Sequence, residues 1–415
     1  MKSSTTSTPH FFSASILLLF FGNIPAVLNF VFQAMMRRTL NDADFGLMNA
    51  LFYLTGFLAI PVTVYSTTLA RHWAELTHAG RAEETERSWW ALMVAAGAAC
   101  VVITLIALAC VPLIAWWLQT SNLRAVGVTV IFAGINVVLG LALPLATARQ
   151  WFGWIAVGSA GGALLRILIG YAGIHFQTPL SGAVAATCVS GVVLTLFVAL
   201  NVRWPGRSKL LFRSLAPSHR EWRASLWMTI ALLCILGTDL LIVRRVFVAE
   251  EAGVFSQVIT LARIIFFLIG PISIVVFPKT ATSLQAEETP REGGLVRRAL
   301  MLGAVILLLA AAAICVLAPL GFRFLRGASD PEMVRLLRIA VWCLIPLSLC
   351  QLVIPSLFAR RQERYLFEFT LLSAILPVSI IFCKSLDQVF AVEGITGLLL
   401  LGFIVARLQR EQRAG

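Results

Sequence analysis

The chain has 415 residues, of which 59% are hydrophobic and only 13% charged, and it carries a formal net charge of +13. A soluble domain is roughly 25% charged, so this composition excludes an ordinary soluble fold. The net charge points to nucleic acid only if the basic residues cluster on one surface, and their placement along the chain decides against that.

Apolar runs long enough to cross a hydrocarbon layer of about 30 Å recur from Phe11 to Leu408. They lack the strict alternation of a membrane barrel, so helices remain as the way to satisfy the backbone in lipid. In chain order, spans are expected near 11–35, 45–70, 89–117, 125–147, 152–174, 180–200, 224–243, 253–278, 299–322, 335–357, 365–384 and 386–406. The first run is too long for a signal-peptide core and reads as a span. The sequence thus predicts an all-α polytopic membrane protein of about twelve helices.

The basic residues concentrate in alternate loops. Arg71, Arg81 and Arg87 flank one, Arg203 to Arg223 fill another, and Arg360, Arg361 and Arg364 form a third. The positive-inside rule then places both termini in the cytoplasm, and the high charge reports orientation. Trp89, Trp90, Trp116, Trp117 and Trp151 fall at expected helix ends, where amphipathic rings favour the headgroup level. All eight cysteines fall inside spans, with no CxxC pair, and read as small apolar residues rather than metal ligands.

The segment 201–223 is basic, holds Pro205 and Pro217, and lies at the midpoint of the chain. It is expected to link a six-helix bundle of residues 1–200 to a second of 224–415. The stretch from Arg37-Arg38 through Asp44 to Gly46 aligns without gaps on Arg244-Arg245 through Glu251 to Gly253, a shift of 207 residues. Each copy ends a span with paired arginines, makes an acidic turn and opens the next span at a glycine. An even number of spans per copy makes the repeat parallel, a frequent plan for alternating access. No Walker-type glycine loop is present, and no cofactor, metal or catalytic residue is expected.

Charges inside spans cost about 2.5–3.5 kcal/mol each at a helix centre and so mark candidate sites. They are Arg166, Arg263, Asp239, Glu368 and Glu393. Arg263 shares a helical face with Ser256 and Thr260, and the shift of 207 sets Tyr53 against Thr260 and Gly56 against Arg263. Arg166 has Ser159, Gly162 and Gly170 on or near its face, leaving room for a substrate or a helix. Either arginine could instead pair with Asp239 or Glu393 and only hold helices together. Asn29, Gln33, Asn136, Gln257 and Gln351 could line a cavity or join helices, and Pro25, Pro61, Pro144, Pro271, Pro346, Pro355 and Pro377 are candidate bends.

The stretches Thr238–Arg245, Ala249–Gln257 and Ile274–Lys279, with the earlier Asp44-Phe45-Gly46 turn, resemble polysaccharide-biosynthesis flippases of the Wzx type. These belong to the multidrug/oligosaccharidyl-lipid/polysaccharide exporter (MOP) superfamily. The resemblance implies two six-helix lobes around a cavity lined by the first, second, seventh and eighth spans. It implies flipping of a polyprenyl-diphosphate-linked oligosaccharide in a bacterial inner membrane, for surface polysaccharide such as O-antigen, capsule or exopolysaccharide. A polysaccharide polymerase would be a pathway partner. Arg263, Arg166, Thr260, Ser256, Tyr53 and Asn29 are then the expected cavity residues, with Asp239 and Glu393 as ion or salt-bridge positions. The alternatives are an ion-coupled exporter of small soluble molecules, of the multidrug and toxin extrusion type, and a membrane glycosyltransferase. The short outer loops weigh against the last.

Overall fold

A computed structural model describes residues 8–202, 204, 219–268, 292–359 and 363–414. Most of the expected linker, Pro271 and the 274–279 stretch lie outside the described residues. The first half contains α1 (Thr8–Thr39), α2 (Asp42–Leu58), α3 (Ile60–His78), α4 (Ala82–Ala109), α5 (Val111–Trp117), α6 (Leu123–Gly140), α7 (Ala142–Ala148), α8 (Phe152–His175), α9 (Pro179–Cys188) and α10 (Val192–Asn201). The second contains α11 (His219–Leu236), α12 (Thr238–Val246), α13 (Ala249–Ala262), α14 (Glu292–Arg326), α15 (Pro331–Ala359), α16 (Glu363–Ser373), α17 (Ile375–Ile380) and α18 (Leu386–Ala414). Among the described residues eight helices are long and apolar enough to cross a membrane, or ten if each of two bent pairs is one span. The other two expected spans coincide with α1 and with α16 and α17.

The repeated motif is a helix stop followed by a helix start. α1 ends on Arg37 and Arg38 and α12 on Arg244 and Arg245, where cations complement the negative C-terminal dipole. α2 opens with Asp42 and Asp44 and α13 with Glu250 and Glu251, at the positive end. The Asn41 side chain caps α2 by accepting from the Asp44 amide at 2.7 Å.

Two spans bend sharply, and a third is interrupted by a single turn residue. α2 and α3 meet at Ala59 with a 52° bend, where Pro61 at the start of α3 removes a backbone donor. α11 and α12 meet at Gly237 with a 50° bend. α13 stops at Arg263, which corresponds by the repeat to Gly56, three residues before the bend at Ala59. One continuous apolar core runs through the second half, from Ala224 to Ile404, and takes in Ala34 of α1. The first half holds two, one built on Phe32, Phe45 and Leu51 and the other on Trp73, Trp89 and Leu145. The halves meet where α2 packs on α12 and α13, α3 on α11, and α1 on α14.

Candidate functional site

The α2–α13 seam begins with two glycines. A side chain on Gly46 would run into the backbone of Gly253, and one on Gly253 into the backbone of Asp42, so the helices approach as closely as backbones allow. One turn on, Asn49 Nδ2 donates to Ser256 Oγ at 2.8 Å. Gly46 with Gly253, and Asn49 with Ser256, are repeat-related pairs, so the pseudo-two-fold axis passes through the seam. Thr260 donates to the Ser256 carbonyl at 2.7 Å. Tyr53, its repeat counterpart, lays its ring 4.7 Å from the guanidinium carbon of Arg263. The missing side chain of Gly237 leaves the space that the ring occupies.

Arg263 stands at the C-terminus of α13 and Asp239 in the first turn of α12, so each charge lies at the helix end whose dipole favours it. Arg263 Nη2 donates to both Asp239 oxygens, at 2.7 and 2.6 Å, with both side chains buried. Nε and Nη1 of Arg263 have no hydrogen-bond partner among the described residues. Glu393, on α18, is 1% exposed, and neither of its oxygens has a donor among the described residues. Its electrostatic neighbours are Asp239 and Arg263. The cluster therefore holds one cation and two carboxylates beside the helix break at Gly237, contributed by α12, α13 and α18.

Arg166, on α8, has a different setting. Its guanidinium carbon lies 4.5 Å from the Phe32 ring centre and 4.7 Å from that of Phe52, and Nη1 donates to Asn29 Oδ1 at 2.9 Å. Gly170, one turn on, leaves room for Phe32, which a side chain there would strike. The expected site residues thus fall into two groups. Ser256, Thr260, Arg263, Tyr53, Asp239 and Glu393 gather at and behind the seam, whereas Arg166 and Asn29 lie inside the first half. Glu368 is in neither, since it pairs with Arg407 at 2.5 Å and Arg364 at 3.1 Å.

Sequence reasoning missed Asn49, although the repeat pairs it with Ser256. It also missed the polar closure at the arginine-pair end of the seam. There Gln257 Nε2 donates to Asp42 Oδ1 at 2.7 Å and Arg37 pairs with the same carboxylate. Each half also reaches across with its second arginine. Arg38 donates to the Phe324 carbonyl at 2.8 Å, and Arg245, the repeat counterpart of Arg38, sits 4.4 Å from the ring of Trp116.

No family model matches this chain, and no curated protein does. Several solved structures do. An inward-facing multidrug resistance MATE family transporter of the MOP superfamily aligns with a TM-score of 0.74 at 14% identity, over 94% of this chain and 96% of that one. An outward-facing multidrug resistance MATE family transporter aligns with a TM-score of 0.67 at 15% identity, over 96% and 95%. A MOP superfamily transporter from Pyrococcus furiosus, described as having a binding pocket of reverse polarity, aligns at 0.64 and 16%, over 95% and 94%. At these identities the likeness establishes the architecture alone: the chain is built on the same fold as these transporters, two six-helix repeats.

Proposed function

We propose that the chain is a proton-coupled transporter that exports small soluble molecules by alternating access, with Asp239, Arg263 and Glu393 as its coupling site. The observation that carries this reading is Glu393, a buried carboxylate with no donor among the described residues, beside an Asp239 already paired with Arg263. With both acids ionised, one negative charge is left uncompensated at membrane depth, which is costly. One proton removes it. Tyr53 belongs to the other half, so its ring on Arg263 links the coupling site to the seam that must part for alternating access.

The multidrug resistance transporters of the same fold support small organic substrates. The proposed units are 1–200 and 224–415 with a cytoplasmic linker at 201–223. Both termini would be cytoplasmic, as the distribution of basic loops favours. The test is dye transport in proteoliposomes under an imposed pH gradient. The native chain should concentrate an organic cation such as ethidium, and Glu393→Gln should lose gradient-driven transport at least tenfold while staying folded. Transport by the native chain that ignores the pH gradient would overturn the proposal.

A second reading, flipping of a polyprenyl-diphosphate oligosaccharide, is favoured by Arg166. Its forked donors suit diphosphate or acidic-sugar oxygens, and the repeat motif carries the resemblance. In the same liposomes, flipping of a labelled lipid-linked oligosaccharide without dye transport would replace the first reading with this one.

A further inference from the structure

An apolar slot of about 370 Å³ lies within the first half, away from both arginine sites. Three helical stripes form it: Leu58, Pro61, Val62 and Tyr65 at the α2–α3 bend, positions 92–107 of α4, and positions 130–141 across α6 and Leu141. The α4 stripe repeats at helical spacing and is mostly small, with Ala95, Ala96, Ala99, Cys100, Thr104 and Ala107. Small side chains on α4, and a neighbour that bends by 52°, explain why no protein group fills the space. The slot falls at the level where the first-half core divides in two.

We propose that this slot holds one acyl chain of a bilayer phospholipid. Along α4 the stripe extends roughly 22 Å at 1.5 Å per residue, long enough to take one extended acyl chain. The surroundings are lipid-facing. Only 6% of the α4 span window is buried, and Ile103, which lines the slot, is 51% exposed between Val102 and Leu105, also exposed. A dry apolar void forfeits the dispersion contacts of its walls, and the hydrocarbon at its mouth is the available filler. The occupied slot keeps α3 apart from α4 and so favours the bend at Ala59. The chain belongs to a bilayer lipid rather than to cargo, because the lining comes from the α2–α3 bend, α4 and α6 and includes none of the seam residues Gly46, Asn49, Tyr53, Gly253 and Ser256.

The test is photolabelling of the full chain in vesicles containing a phosphatidylethanolamine with a diazirine on its acyl chain, mapped by mass spectrometry. Labelling per residue of the slot-lining positions 92–107 should exceed, at least fivefold, that of the α14 surface at Leu309, Val316 and Leu320, although those side chains are the more exposed. Ala99→Phe, and the milder Ala99→Leu in case the first fails to fold, should remove the excess and leave α14 labelling unchanged. Equal labelling of both surfaces, or an excess that survives either folded variant, would overturn the proposal. So would displacement of the label by a water-soluble organic cation, which would make the slot a substrate site.

Discussion

Arg166 and Arg263 are both guanidinium groups inside spans, and the structure treats them in opposite ways. Arg263 meets a carboxylate held at a helix break, with a second carboxylate behind it. Arg166 meets two aromatic faces and an amide oxygen. A buried ion pair fixes its partners, because removing one leaves an uncompensated charge. Aromatic faces hold a cation more weakly, with a contribution of about 0.5–2 kcal/mol per ring. The second half thus carries a buried cluster of one cation and two carboxylates, and the first half a cation set against aromatic rings.

The sharpest way to break this contrast is Arg263→Gln, which leaves the buried Asp239 beside Glu393 with no cation. It should cost about 3–5 kcal/mol, the range for an orphaned buried ion, read as a lower unfolding midpoint in detergent. Asp239→Asn combined with Arg263→Gln should recover most of that loss. A loss in the double variant equal to the sum of the single ones would show that the pair contributes nothing specific. Next in size is Gly253→Leu, whose side chain meets the Asp42 backbone and holds the seam apart. In a cysteine-free background, disulfide formation between Asn49→Cys and Ser256→Cys should slow at least tenfold when this change is added. The smallest effect belongs to Phe52→Leu. It should cost about 0.5–2 kcal/mol with Arg166 present and clearly less in an Arg166→Gln background, a difference that a double-mutant cycle of unfolding measurements would resolve.

Much of this site was legible in the sequence. The stripe Ser256–Thr260–Arg263 follows from helical spacing, and the shift of 207 residues brought Tyr53 to the same level. Asp239 and Glu393 were both open as partners of Arg263. Spacing could not choose between them, because they come from α12 and α18, whose distances from α13 depend on packing. Asn49 was missed since an asparagine inside an apolar run gives no charge signal, and Phe32 and Phe52 since aromatic residues in a span read as lipid-facing or core. The slot left no motif, only small residues on α4 whose consequence depends on a bend in another helix.

The sequence by itself determined the membrane-spanning plan, the repeat, and which residues share a helix face. Hydropathy over about 20 residues and the 3.6-residue period are local properties. Only the tertiary structure decided that repeat-related residues touch across the seam, that Asp239 rather than Glu393 takes Arg263, and that a slot opens beside α4. Those outcomes rest on crossing angles, helix breaks and close glycine contacts, which arise when many side chains pack at once.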